Sequence, residues 1–307
     1  MIAFDPQRAA FGRHETFPLR YGWLTKGFRE WCDNPEVFDA EDATVRLGVG
    51  KNMVTAIRYW LVATRMVESH GRTLEPTLTG KKLLSEGGWD PYLEDETTLW
   101  LIQWLLASNP HDATTFFWFF NCFHKSEFTA AEVLNGLQDF VRENVRVRVA
   151  STTLKHDVNV LLRMYEQRAP SRQAPLEDTL DSPLATLGLL RTTGTGKQHV
   201  SAPDTRPALP VAALGFAVAE IFAATDQPSL PVEGLLYGEG QWAAPGTVFR
   251  LTGEGLISKL EQLTHWLPEH FELRDTAGIH QLYELKPIKP LELLLRHYIR
   301  HIAREAA

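Results

Sequence analysis

Two apolar runs of helical period, parted by Gly48-Val49-Gly50 and followed by a polar hairpin, constrain this chain more than any other feature. From Ala43 onward, Val45, Leu47, Met53, Ile57, Trp60, Leu61 and Ala63 recur mostly at three- and four-residue steps, the period of an amphipathic helix. The glycines break the run, so the pattern predicts a short helix, a tight turn and a second helix from about Lys51 to Thr64. Met66-Val67-Glu68, a polar turn at His70-Gly71-Arg72 and the return Leu74–Leu78 predict a hairpin. Leu78-Thr79-Gly80-Lys81-Lys82-Leu83-Leu84 then opens a further helix. Helix, turn, helix, hairpin, helix is the order of the winged form of a DNA-reading motif.

Charge agrees with that reading. Between Thr44 and Lys82 stand seven bases (Arg46, Lys51, Arg58, Arg65, Arg72, Lys81, Lys82) and two acids (Glu68, Glu75), inside a chain whose formal charge is −7. The total excludes a uniformly basic nucleic-acid coat but not a local basic face. At 307 residues, with 44% hydrophobic and 22% charged, the chain is long enough for about two domains and is not a disordered sequence. Two cysteines far apart, Cys32 and Cys122, supply neither a disulfide framework nor a zinc cage. The most apolar run, Thr98–Ala107, is too short to span a bilayer, and the N-terminus lacks the pattern of a leader. A cytoplasmic protein with no membrane partner is expected.

Residues 97–166 read as helices. Thr97 or Thr98 is expected to cap Leu99–Ala107, and Asp112 to cap Thr114–Phe123. Thr129 with Glu132 makes a capping box, and Ser151–Tyr165 carries Leu154, Val158, Leu161, Leu162 and Tyr165 on one face. Phe116-Phe117-Trp118-Phe119-Phe120 reads as core rather than as a base-stacking platform. A second basic tract holds Arg142, Arg146, Arg148, Lys155, Arg163, Arg168 and Arg172 against three acids. Ala169–Pro175 is a linker, and Thr192–Lys197 a glycine hairpin turn. Beyond Ala202–Pro210 come a helix from Val211 to about Ala224, a helix opened by Leu251-Thr252-Gly253 and running to Trp266, and a hairpin of Phe271–Arg274 with His280–Leu285. The expected fold is mainly α, with winged helix-turn-helix modules around a helical middle block and short β-hairpin wings. Its parts are a winged-helix region at 1–90, a helical block at 91–168, a linker with an acidic cluster and hairpin at 169–210, and a winged-helix-like domain at 211–307.

Several motifs bear chemistry. Gly48-Val49-Gly50-Lys51-Asn52 lacks the spacing of a nucleotide phosphate loop, yet a helix N-terminus beside Lys51 suits a DNA phosphate. His14-Glu15-Thr16-Phe17-Pro18-Leu19-Arg20 is either an active corner or a satisfied polar knot. In the first case His14 or Glu15 handles a proton or metal and Arg20 a phosphate; in the second the knot anchors the N-terminal segment. Glu177, Asp178 and Asp181 are spaced to hold Mg²⁺ or to favour a helix N-terminus. Asp275 followed by Glu284-Leu285-Lys286 has a nuclease-like spacing that also fits a solvent-facing wing.

Longer phrases carry a family likeness. They are Phe11-Gly12-Arg13-His14-Glu15-Thr16-Phe17-Pro18-Leu19-Arg20-Tyr21-Gly22-Trp23-Leu24, then Leu47-Gly48-Val49-Gly50-Lys51-Asn52-Met53-Val54 with Ile57-Arg58-Tyr59-Trp60. Tyr92-Leu93-Glu94-Asp95 with Thr98-Leu99-Trp100, Leu154-Lys155-His156-Asp157-Val158, and Glu177-Asp178 through Pro183-Leu184 complete the set. Together they resemble the SspB-type proteins of bacterial DNA phosphorothioation systems, over most of residues 11–190. Arg13 stands where the family phrase is expected to have glycine.

The resemblance implies a Mg²⁺-dependent endonuclease that nicks double-stranded DNA so that sulfur replaces a non-bridging phosphate oxygen, in a modification and phage-defence system. It implies as partners a cysteine desulfurase, an ATPase and an ATP-pyrophosphatase-like sulfur-transfer enzyme. His14, Glu15, Arg20, Lys51, Asn52, Arg58 and the phrase with Asp178 and Asp181 carry over by position. With Asp275 and Glu284 added from the spacing of the last hairpin, the expected catalytic residues are His14, Glu15, Asp275 and Glu284, and the expected metal ligands Glu15, Asp178 and Asp181. The expected DNA contacts are Arg20, Lys51, Asn52, Arg58, Arg65 and Lys155. The alternative is a non-catalytic DNA-binding adaptor that recruits the sulfur-transfer enzymes.

Overall fold

The structure, a computed structural model, describes residues 2–71, 73–166, 182–193, 198–238, 242–276 and 278–305. It begins with three helices, α1 (Trp23–Asp33), α2 (Ala43–Leu47) and α3 (Lys51–Ala63), which pack on one another. Gly48 closes α2 at φ 57°, a left-handed conformation that costs glycine little, and its N–H returns to the carbonyls of Thr44 and Val45. Gly50, extended, starts α3 one residue later. The α1–α3 crossing is close because Gly27 lacks a side chain: a Cβ there would fall 2.3 Å from Ile57 Cγ2.

The antiparallel hairpin of β1 (Val67–His70) and β2 (Thr73–Pro76) follows, and Thr77 caps α4 (Leu78–Leu84) through the Gly80 N–H. Helix, turn, helix, hairpin, helix therefore stand in the order the sequence predicts. α1 lies in a stretch for which the sequence shows no clean period. That stretch runs from Phe11 to Phe28 and reaches the helix only at Trp23, so residues outside any helix mask its period.

The middle block consists of α5 (Glu96–Ala107), α6 (Thr114–Asn121), α7 (Ala130–Asn144) and α8 (Ser151–Tyr165). Every residue of α5 from Thr97 onward is buried, as befits a helix apolar all round. Its cap corrects the sequence expectation. Asp95, not Thr97 or Thr98, accepts from the Thr97 N–H at 2.7 Å, because the helix begins at Glu96 and the threonines already lie inside it. Asp112 likewise does not cap α6, which starts from Ala113 without a side-chain cap. The Thr129–Glu132 capping box of α7 forms as expected. The five aromatics Phe116–Phe120 are all buried in the core.

After a 3-10 turn (Pro183–Leu187), β4 (Arg191–Thr193) and β5 (Gln198–Val200) pair antiparallel, and β3 (Glu127–Phe128) joins the other edge of β5. The final part runs α9 (Val211–Thr225), β6 (Ser229–Pro231), α10 (Val232–Tyr237), α11 (Pro245–Val248), α12 (Gly253–Trp266), β7 (Phe271–Thr276), β8 (Ile279–Glu284) and α13 (Pro290–Glu305). Its three strands are antiparallel in the order β6-β8-β7. The predicted helices and hairpin of this part are present; α13 closes it against α9.

One contiguous hydrophobic core extends from Leu19 to Tyr298 and includes residues of all these parts. Polar groups stitch it. Arg250, 5% exposed, donates to the carbonyls of Phe119, Phe120 and Phe123 and to Ser201 Oγ, placing a cation at the C-terminal end of α6. No helix among the described residues is long and apolar enough to cross a membrane.

Candidate nucleic-acid interface

α3 presents its first turn to solvent. Lys51 and Asn52 are exposed there, no acid occupies that turn, and Gly50 offers no side-chain cap. Beside it lies a cleft of about 540 Å³ lined by Arg20, Tyr21, Trp23, Gly48, Val49 and Met53, among others. The Arg20 guanidinium sits 5.3 Å from the Trp23 ring centroid and 5.9 Å from that of Phe17, so stacking fixes its planar fork at the cleft. The Lys26 ammonium reaches the same turn, 3.2 Å from the point where a Cβ on Gly48 would stand. Arg58 is half-buried further along α3, and Lys155 is exposed on α8. Three cations (Arg20, Lys26 and Lys51), a helix N-terminus and an exposed amide side chain thus lie about one corner, the chemistry that holds a phosphate.

His14 faces inward. It is 2% exposed, stacks on Trp60 and meets Tyr59 edge-on. The Thr16 N–H donates to Nδ1 at 3.2 Å, so the neutral ring carries its proton on Nε2, which donates to Asp157 Oδ1 at 3.0 Å. Asp157 also accepts from the Gly12 N–H at 2.8 Å and from Thr115 Oγ1 at 2.7 Å. These bonds clamp the N-terminal segment onto α6 and α8. Glu15, next to the clamp, is exposed and sits at φ 50°, followed by Thr16 at φ 65°. Asp157 shares the Leu154–Val158 stripe of α8; an acid on an apolar face is the signal that marks it as buried and bonded.

Arg65 lies elsewhere. At φ 56° just beyond α3, it turns inward, and its Nη2 donates to Glu220 Oε2 at 2.9 Å and to Ser108 Oγ at 3.3 Å. Trp104 Nε1 donates to the same carboxylate oxygen at 2.7 Å. The expected phosphate contact is instead a bond between α3, α5 and α9, because burial next to a carboxylate outcompetes an exposed position.

The structure does not bring Asp275 and Glu284 together. Asp275 is opposite His280, near the turn of the hairpin, whereas Glu284 is opposite Phe271 at its far end. Four residues of strand, about 13 Å, separate the two positions, too far to share one ion. Asp275 instead accepts from the Gly278 N–H at 2.9 Å within the turn. Burial pushes the Glu284 carboxyl above its ordinary range. Asp178 and Asp181 lie outside the described residues. Among the described residues no group of three or more His, Cys, Asp or Glu side chains is placed to hold a metal.

No curated protein matches. Two solved structures superpose closely: an SspB crystal structure, with TM-score 0.83 at 30% identity, and a magnesium ion-bound SspB crystal structure, with TM-score 0.83 at 29% identity. Each likeness covers 96% of this chain and 89% of the other. The model of the family described as "Protein of unknown function (DUF4007)" matches residues 11–298. The chain belongs to the DUF4007 family, and its fold is of the SspB type.

Proposed function

We propose that this protein binds duplex DNA through the winged-helix surface formed by α3 and its hairpin. With Mg²⁺ it nicks one strand, so that partner enzymes can place sulfur on the phosphate. The observation that carries the DNA reading is the exposed first turn of α3, where Lys51 and Asn52 stand beside the Arg20 cleft with Lys26 at its rim. The likeness to a magnesium-bound SspB supports the cation. Lys51, Asn52, Arg20, Arg58 and Lys155 are the proposed DNA contacts; Arg65 is left out because its guanidinium already bonds Glu220.

Glu15 is proposed as a metal-binding carboxylate together with Asp178 and Asp181, and His14 as the positioning residue that fixes the segment carrying Glu15. Neither Asp275 nor Glu284 is retained. The cysteine desulfurase, ATPase and ATP-pyrophosphatase-like enzymes of a phosphorothioation system are the proposed partners, in the cytoplasm.

Two measurements test the proposal. Binding of a short duplex is titrated at several salt concentrations for the protein and for a Lys51→Ala/Arg58→Ala variant. Loss of two phosphate contacts should weaken binding and flatten the salt slope by up to about 1.8, since each contact releases condensed counterions. An unchanged slope in a folded variant removes α3 from the DNA surface. Relaxation of supercoiled plasmid with Mg²⁺, and its loss with EDTA, tests the chemistry. Binding without relaxation in Mg²⁺ or Mn²⁺ identifies the adaptor instead.

A further inference from the structure

A second cleft adjoins the first along α1. It measures about 480 Å³, within the ~300–1,000 Å³ range of ligand sites. Tyr21 lines both clefts and stands between them. In the second cleft Tyr21 is joined by Lys26, Arg29, Pro91 and Tyr92. Tyr92 is 65% exposed and Tyr21 38%; with Tyr237 they are the exposed aromatic side chains among the described residues.

Tyr92 is held rather than loose. The Arg29 guanidinium lies 5.6 Å from its ring centroid. Thr25 Oγ1 donates to the Pro91 carbonyl, tying the loop to α1. Leu93, buried at φ 59°, follows it, and Asp90 receives the Glu94 and Asp95 amides at 2.9 and 3.0 Å. A non-glycine residue in the left-handed region is sustained only where surrounding contacts over-determine it. The fold therefore fixes an exposed ring in place, which lowers the entropy lost when a flat ligand stacks on it. Glu30 is the acid of the cleft, and Arg46 Nε approaches it at 4.0 Å.

We infer that Tyr21 and Tyr92 form a stacking platform for unpaired bases of a DNA strand whose phosphates run past Lys26 and Arg29. Exposed rings interleaved with cations are the chemistry of single-strand recognition, because every base has a face to stack and every linkage a charge. The Tyr21 wall shared with the Arg20 cleft places the platform beside the proposed duplex surface, where a strand opened at a nick would emerge. This inference rests on the DNA-binding reading above and goes beyond it by assigning a separate single-strand subsite.

The test compares three fluorescent probes: an intact duplex, a nicked duplex with an unpaired flap, and oligo-dT. Affinities are measured for the full chain and for Tyr21→Ala, Tyr92→Ala and Tyr92→Phe, with thermal unfolding as the check on folding. Tyr92→Ala should weaken flap and oligo-dT binding by about 10-fold while leaving the intact duplex within about 2-fold, and Tyr21→Ala should weaken flap and oligo-dT binding by a similar factor. The salt slope should not change, since no phosphate contact is removed. Tyr92→Phe should bind as the unaltered protein does. For Tyr92→Ala, equal loss on duplex and single strand, or no loss on either, overturns the platform while the duplex reading stands. Failure of the unaltered protein to bind any of the three probes overturns both.

Discussion

Arg65 Nη2 meets Glu220 Oε2 at 2.9 Å across 155 positions of sequence, joining the end of the helix-turn-helix to α9. Both side chains are mostly buried, and Trp104 Nε1 bonds the same oxygen. Burial by itself would push the Glu220 carboxyl up; Arg65 and Trp104 more than offset it, and the carboxyl is held below its ordinary range. The pair ties the end of α3 to α9.

Arg65→Ala leaves the Glu220 charge buried with a single donor. It should destabilise the fold by about 3 kcal/mol, read as a lowered denaturant midpoint. Arg65→Ala with Glu220→Gln should recover part of that loss. Because the folded carboxyl titrates below its unfolded value, the pair stabilises above the unfolded pKa and the contribution disappears as pH falls through the folded one. A double-variant loss equal to the sum of the Arg65→Ala and Glu220→Gln losses would show that the two residues are not coupled.

Asp157 accepts three bonds, two from the N-terminal segment at Gly12 and His14 and one from Thr115 of α6, and the His14 and Thr115 donors are buried. Asp157→Ala should cost about 3 kcal/mol and expose the segment before α1 to protease. The residues around Glu15 should be cut first. Protection unchanged from the parent chain would mean that the His14–Asp157 bond does not hold this segment.

Asp95 caps α5 and meets His297 Nε2 of α13 at 3.0 Å. Burial raises its carboxyl, yet the His297 ring and the Thr97 amide outweigh this and bring it down to about 2. An unfolded aspartate titrates near 4, so docking of α13 contributes fully above about pH 4 and is lost as pH falls toward 2. Melting temperature measured against pH should decline through that window. Asp95→Asn should lower stability at pH 7 and flatten the decline, and a slope identical to the parent would separate Asp95 from acid unfolding.

Glu15→Gln, Asp178→Asn and Asp181→Asn keep shape while removing charge. At least one should abolish Mg²⁺-dependent nicking with DNA affinity nearly intact, because Mg²⁺ binds through one or two carboxylates and its waters. Parental nicking rates in all three would refute the assignment of these carboxylates.

Local chemistry was legible in the sequence. The Gly48–Gly50 break, the Thr129–Glu132 box and the 271–284 hairpin depend on contacts a few residues apart, and each stands where spacing put it. The caps of α5 and α6 misled because several polar residues cluster before each helix, and only the packing of α5 decided that its first turn begins at Glu96. Tertiary structure alone assigned charges to surface or interior. Lys51 and Arg65 belong to one basic run, yet the first is exposed and the second bonds Glu220, because charge count along a chain carries no information about which side chain another helix will cover. Likewise, the carboxylates Asp275 and Glu284 share a hairpin but stand at its opposite ends, since strand register converts sequence spacing into distance. Sequence determined the helices and hairpins through local periodicity; the fold determined which of their polar groups meet, through burial and long-range contact.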